Sequence, residues 1–189
     1  MENTAASPGT ASTLDNLQAA FHGESNARVR YLAFAAKAGE EGYGPVASLF
    51  RAAARAEQIH AANHAAVIAQ LGGTPQAAIE TPVVRSTREN LEAAIQGETY
   101  ERDVMYPAFL AQARAESGQG AAVRTFHLAR QAEGEHARLY TEALEDLENR
   151  RGAGVAYYVC PVCGFTTAAP ESPRCPFCGT AREKYEEVK

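Results

Sequence analysis

Two segments of the chain repeat one another, and both carry acids and imidazoles at helical spacing. Gly23-Glu24 recurs as Gly97-Glu98, and AEQIHA (56–61) recurs as AEGEHA (132–137). Glu57 follows Glu24 by 33 residues, and Glu133 follows Glu98 by 35. Glu57 with His60, and Glu133 with His136, are i,i+3 pairs, so each pair projects from one side of its helix. One Glu-x-x-His alone is a weak signal, since a solvated helix face produces it as readily. Two copies, each with a Glu one helix upstream, match the ligand pattern of carboxylate-bridged dinuclear bundles. Carboxylates bridge two cations about 3.5–4 Å apart, and one imidazole per metal leaves positions open. Turned inward without a cation, each of these carboxylates would cost on the order of several kcal/mol. The small neighbours Ala53, Ala56 and Ala61 suit close helix packing around such a site.

The two copies differ in one respect that bears on chemistry. Glu101 stands three residues after Glu98, whereas Ala27 holds the matching place after Glu24. A lopsided site is therefore expected, with one metal offered an extra carboxylate and a ligand change that follows redox state. His64, one turn beyond His60, and His127, nine residues before His136, read as surface or supporting residues rather than ligands. His22 has no helical relation to either pair. Tyr31 and Tyr106 follow Glu24 and Glu98 by seven and eight residues. Packing explains them as well as chemistry does.

The rest of the 189 residues supplies a scaffold for this pattern. Residues 1–12 are small and polar and read as a flexible tail. Helical apolar spacing runs from Leu14 to about Lys37, with Pro45 opening a second helix that Gly72-Gly73-Thr74-Pro75 stops near Leu71. A third begins at Thr87, capped by Ser86 or Thr87, and continues to about Ser117 with a disturbance at Pro107. Gly118–Gly120 separate it from a fourth that ends near Arg151. Short first and third connections and a long middle one suit a four-helix bundle with one crossover over residues 13–151.

Charge narrows the partners. The net −5 lies wholly in residues 1–151, with 19 acids against 14 bases, while residues 152–189 balance at four each. No basic stripe is present to grip phosphates, so nucleic acid is not an expected partner. Nor is a membrane, since no run approaches the roughly 20 apolar residues of a span. The opening Met1-Glu2-Asn3-Thr4 lacks the character of a secretory signal, which makes a cytoplasmic protein the expectation.

After Gly152-Ala153-Gly154 the composition changes to Tyr, Val, Pro, Gly and Cys, marking a second domain over 155–189. About 35 residues are too few to be stable without a staple. Cys160-x-x-Cys163-Gly and Cys175-Pro-x-Cys178-Gly, 11 residues apart, are two knuckles of a tetrahedral thiolate site. Each Gly after the second Cys allows a positive φ, so that backbone N–H groups turn towards sulfur. Spacing suits zinc or iron alike. A structural zinc ribbon is the commoner outcome; an aromatic shell of Tyr158, Phe165, Phe177 and Tyr185 leans towards an iron relay.

On GESNARVRY (23–31), AEQIHA (56–61), GETYERDVMYPAF (97–109), AEGEHA (132–137) and CPVCG…CPFCG, the chain after residue 12 resembles the rubrerythrins. The resemblance implies an all-α ferritin-like four-helix di-iron bundle followed by a small rubredoxin-like domain with a mononuclear iron. It implies Glu24, Glu57, His60, Glu98, Glu101, Glu133 and His136 as di-iron ligands, with Glu57 and Glu133 bridging. His60 and Glu101 would exchange on one iron, the carboxylate in the ferric state and the imidazole in the ferrous one. Cys160, Cys163, Cys175 and Cys178 would hold the third iron. Tyr31 and Tyr106 fall on family positions near the site. Ala27 sets the chain apart from the more symmetric relatives that carry an eighth ligand.

The implied activity is reduction of hydrogen peroxide to water in oxidative-stress defence. Electrons would pass through the rubredoxin-like iron from a NAD(P)H-dependent reductase or a rubredoxin. A homodimer is implied as well, with one subunit's rubredoxin-like centre near the other's di-iron site. Two readings compete with this one. A ferroxidase or dioxygen-reducing protein would keep the fold, although iron storage has no use for a fused electron carrier. A helical binding module with a zinc ribbon would leave the matched carboxylates and imidazoles without purpose.

Overall fold

The computed structural model describes residues 11–189. Most of the expected tail thus lies outside the described residues, but its last member, Ser12, has a defined task. Its side chain accepts from the Asp15 N–H while Asp15 returns a bond to the Ser12 backbone, a capping box that opens α1 (Thr13–Glu40). Pro45 sits in the first turn of α2 (Gly44–Gln70). Ser86, rather than Thr87, caps α3 (Thr87–Tyr100), again by a capping box, here with Glu89. After α4 (Tyr106–Ala115), α5 (Gly120–Glu145) completes the bundle, and a short 3₁₀ turn at Leu147–Asn149 ends the helical part earlier than the expected Arg151.

The expected disturbance at Pro107 is a π-helical turn over Glu101–Met105, just upstream of the proline. Tyr106 N–H donates to Glu101 O, one residue further back than in an α-helix. The Arg102 carbonyl is thereby freed, and Pro107 has no N–H to offer it. Arg130 on α5 fills the gap, its Nε donating to Arg102 O at 2.8 Å. The widened turn begins at Glu101, the residue that makes the two copies unequal.

The bundle core is divided in two. Tyr31, Phe34, Phe50 and Tyr140 interlock towards one end, Phe50 and Tyr140 with ring centroids 5.1 Å apart. Leu17, Ile68, Tyr106, Leu110 and Phe126 fill the other end. Each fully buried side chain of this kind contributes about 1.5–3 kcal/mol. Between these apolar clusters lie buried Glu24, Glu57, His60, Glu98, Glu133 and His136. The apolar halves hold the helices together around a polar layer that could not do so alone.

The C-terminal part is a three-stranded antiparallel sheet, β1 (Tyr157–Val159), β2 (Thr166–Thr167) and β3 (Glu186–Val188), in the order β2-β1-β3. The linker returns along the bundle, with Gly152 N–H donating to Gly42 O at 3.0 Å. Tyr157 and Val159 then pack into the aromatic end of the bundle core. Arg55 on α2 grips Glu186 with two bonds, 2.6 and 2.9 Å long, and Asn63 donates to Val162 O at 2.9 Å. The four-cysteine domain is thus seated on the bundle of its own chain. No helix among the described residues is long and apolar enough to cross a membrane.

Candidate metal centres

Six of the seven predicted ligands converge into two quartets: Glu24, Glu57, His60 and Glu133, and Glu57, Glu98, Glu133 and His136. Within each quartet the donor atoms lie within 4.8 Å of one another, and all six residues are buried. Glu57 and Glu133 belong to both. Glu57 reaches His60 Nδ1 with one oxygen at 2.9 Å and His136 Nδ1 with the other at 3.5 Å. Glu133 does the same, at 3.0 Å to His60 and 2.9 Å to His136. That is the geometry of two bridging carboxylates with a terminal Glu and His on each side.

The carboxylates fit cations and little else. Glu24 Oε2, Glu57 Oε1 and Glu133 Oε1 are buried and receive no aligned hydrogen bond, the latter two meeting the imidazoles only as charge contacts. Burial, then the Glu133 and Glu24 charges, pushes Glu57 up to about 7. Burial, then the Glu57 and Glu133 charges, lifts Glu98 well above the usual carboxylate range. Burial alone would lower His136, yet Glu133 and Glu57 outweigh it and raise it to about 9. An excess of negative charge in a dry core is relieved by divalent cations bound to oxygen and neutral imidazole.

Both histidines are oriented from behind. Each aims Nδ1 at the carboxylates and Nε2 at the four-cysteine domain. His60 Nε2 lies 3.1 Å from Cys163 O, and His136 Nε2 lies 3.2 Å from Thr166 Oγ1. An Nε2–H donated outward leaves the Nδ1 lone pair free for a metal. Glu101, the seventh predicted ligand, is in neither quartet. It stands close by at the start of the π turn, where burial, then the charges of Glu24, Glu133 and Glu57, raises its carboxyl well above the usual range. His60 rather than Glu101 completes the first quartet here.

The two tyrosines sit crosswise. Tyr31 on α1 donates to Glu98 Oε1 at 2.7 Å, and Tyr106 on α4 donates to Glu24 Oε1. Burial and the facing carboxylates raise both phenols well above their ordinary value, so they remain hydrogen-bond donors. Two contributors escaped sequence reasoning, and a third was read only as surface or supporting. Thr166 and Gly164 meet the histidines from the second domain. His64 is fully buried, which rules out a surface position, and bonds Tyr106 Oη and Thr125 Oγ1, each at 3.1 Å. Its place one turn after His60 was the available signal.

The four cysteines also converge, with all sulfurs within 4.8 Å. Cys160 and Cys178 are 3.5 Å apart, as are Cys163 and Cys175. A tetrahedron with metal–sulfur bonds of about 2.3 Å has edges of about 3.8 Å. Gly164 and Gly179 adopt φ of 75° and 77° as expected. Phe165, Phe177 and Tyr185 pack against the sulfurs, as does Leu128 of α5. Tyr158, expected in this shell, is not among them; it is half-buried in the middle of the sheet, between Thr167 and Glu187.

Comparison with known proteins accords with this geometry. The family model described as Rubrerythrin matches residues 15–144. Rubrerythrin-2 of Clostridium acetobutylicum is 37% identical over 179 residues, covering 93% of this chain and 96% of that protein. Nigerythrin of Nitratidesulfovibrio vulgaris is 37% identical over 175 residues, covering 92% and 85%. The structure of fully reduced, all-ferrous nigerythrin superimposes with a TM-score of 0.87 at 34% identity, covering 97% of this chain and 90% of that one. A bacterioferritin from Desulfovibrio desulfuricans, at 24% identity and a TM-score of 0.67, shares the bundle fold. The chain belongs to the rubrerythrin family of di-iron oxidoreductases, with its two-iron carboxylate site between the helices and its mononuclear iron site at the four cysteines.

Proposed function

We propose that this chain is a peroxidase that reduces hydrogen peroxide to water, drawing electrons through its own four-cysteine centre. The observation that carries the reading is the contact between the two sites. The Cys163 carbonyl and the Thr166 hydroxyl hydrogen-bond the outward nitrogens of His60 and His136. A few bonds therefore separate a thiolate-bound iron from the ligands of the dinuclear site. When bound, an iron pair held there would supply the two electrons that break the O–O bond, and an iron held by Cys160, Cys163, Cys175 and Cys178 would supply one-electron replacement.

The protein's part is to hold and place charge. Glu24, Glu57, His60 and Glu133 would hold one iron, and Glu57, Glu98, Glu133 and His136 the other. Glu101 would exchange with His60 on the first, released by the π turn from the strict α-helical register. Tyr31 and Tyr106 hold protons beside Glu98 and Glu24, where oxygen atoms leaving as water need them. The external donor would be a NAD(P)H-dependent reductase or a rubredoxin, and the physiological unit a homodimer. The resemblance implies transfer between subunits, whereas the seating of the second domain supplies a route within one chain. A ferroxidase would gain nothing from this fused centre.

The test is anaerobic reduction of the iron-loaded chain, followed by one equivalent of hydrogen peroxide or of dioxygen. Return of the visible thiolate-to-iron absorption is the readout. Fast return with peroxide and slow return with dioxygen is expected; the reverse order would establish an oxidase instead. Cys175→Ser should stop turnover with an external donor yet leave a single reaction with peroxide intact.

A further inference from the structure

The protons for this chemistry have a route that the ligand set does not explain. Glu24, as a metal-binding carboxylate, has no hydrogen to give, so the Tyr106 phenol must donate to it. Tyr106 Oη then carries no second hydrogen for His64, and the contact of 3.1 Å to His64 Nε2 must be filled by Nε2–H. In a neutral imidazole that tautomer leaves Nδ1 bare, and Thr125 Oγ1, 3.1 Å away, must donate to it. Every hydrogen bond points the same way, inward.

The outer end of this row meets solvent. Thr125 lines a groove of about 300 Å³ between α2 and α5, together with Asn63, Val67, Arg124, Leu128 and Val162. Val162 belongs to the first cysteine knuckle, so the groove opens beside the electron-carrying domain. The duplicated architecture supplies a contrast. Tyr140 follows His136 by four residues as His64 follows His60, and Leu49 precedes His60 by 11 as Thr125 precedes His136. Tyr140 is buried among aromatic rings, and its hydroxyl has no partner. Only one of the two related positions has been made polar and continuous.

We propose that Thr125, His64 and Tyr106 form a proton wire from the groove between α2 and α5 to the Glu24 carboxylate. The inference rests on the peroxide-reducing reading above. That reaction breaks one O–O bond, forms two O–H bonds and consumes two electrons and two protons. The electrons come from the reduced iron pair and the protons from groove water. In one passage Thr125 takes a proton from water and hands its own to His64 Nδ1. His64 releases its Nε2 proton to Tyr106, whose phenolic proton passes to Glu24. The imidazole stays neutral, exchanging one tautomer for the other.

Thr125→Val keeps the shape and cuts the wire at its mouth. In the iron-loaded chain it should slow peroxide-driven return of the visible band by about tenfold or more. Iron content should stay close to wild type, the thermal midpoint should fall by no more than one lost hydrogen bond accounts for, and Thr125→Ser should restore the rate. A valine variant as fast as wild type, with the same solvent isotope effect, overturns the wire. If wild type itself ignores peroxide, the functional reading falls instead. The wire is then judged by histidine ¹⁵N NMR on the full chain loaded with diamagnetic zinc. His64 as the Nε2–H tautomer, with an Nδ1 resonance that moves in Thr125→Val, supports it, and the Nδ1–H tautomer overturns it.

Discussion

The two halves of the bundle descend on the same site with the same motif, yet one half is dry and the other wet. Around His136 the supporting positions are Tyr140 and Leu49, packed among Tyr31, Phe34 and Phe50 with no polar exit. Around His60 they are His64 and Thr125, hydrogen-bonded in series to an open groove. The half that contains α3 also carries the π turn and Glu101, where α1 continues as regular helix past Ala27. A duplicated metal site needs its ligands twice. It needs one path for protons and one exchangeable carboxylate only once, and the departures from symmetry fall at those places.

The largest effect should come where the second domain touches one histidine. A Cβ on Gly164 would lie 2.3 Å from His60 Nε2, at a residue whose φ is +75°. Gly164→Ala should therefore destabilise the docked state by about 3 kcal/mol from strain and overlap together. Denaturant unfolding followed by the visible band would show it. The counterpart on His136 is milder, since Thr166→Val removes two hydrogen bonds, one from His136 Nε2 and one to Gly164 O, worth about 1 kcal/mol each. Equal losses from the two would mean that the histidines are held alike.

Tyrosine-to-phenylalanine changes sharpen the contrast between the halves. Tyr31→Phe leaves one buried acceptor on Glu98 and should cost about 1–3 kcal/mol. Tyr106→Phe should cost more, because it strands both Glu24 and the His64 N–H. Tyr140→Phe should be neutral to within about 0.5 kcal/mol, as its hydroxyl is already unpartnered. Unfolding midpoints of the three variants in one denaturant series give the order directly. A large loss in Tyr140→Phe would show that the dry half hides a polar contact.

The smallest effect concerns the clamp that joins the halves. Glu41, just past α1, accepts from the Thr87 N–H at the start of α3 at 2.8 Å and pairs with Lys37 at 3.1 Å. The Thr87 bond, with Lys37 behind it, lowers its carboxyl to about 2. A depressed carboxyl stabilises the fold above its unfolded value, near 4.5, and that gain disappears as pH falls towards 2. For so accessible a group it is worth about 1 kcal/mol or less. Glu41→Gln should lower stability by about that amount at neutral pH, flatten the profile between those pH values and converge with wild type near pH 2. An identical acid profile in the variant would remove Glu41 from the account.

Much of the site was legible in the chain before any coordinates. The repeated spacing names six residues that the fold brings into two quartets, and two Cys-x-x-Cys-Gly segments name the second centre. Even the asymmetry left a trace. Tyr31 follows Glu24 by seven residues and Tyr106 follows Glu98 by eight, and the extra residue is the one the π turn absorbs. Other features left none. Ser12 belongs by composition to a loose tail, and its role as cap depends on where α1 starts. Tyr158 is one more aromatic beside the cysteines until the sheet pairs it between Thr167 and Glu187, outside the cluster around the sulfurs. Thr125 is an ordinary polar residue on an amphipathic helix, indistinguishable there from a solvated face.

Sequence by itself determined the ligand types, their helical faces and the family, because metal chemistry demands particular side chains at particular spacings and periodicity reports which face they share. Tertiary structure alone decided which imidazole nitrogen faces the metals and that the four-cysteine domain roofs the histidines of its own chain. It also decided that one half of the bundle opens to water. These are contacts between elements far apart along the chain, so their hydrogen-bond directions are set by neighbours that no local pattern names.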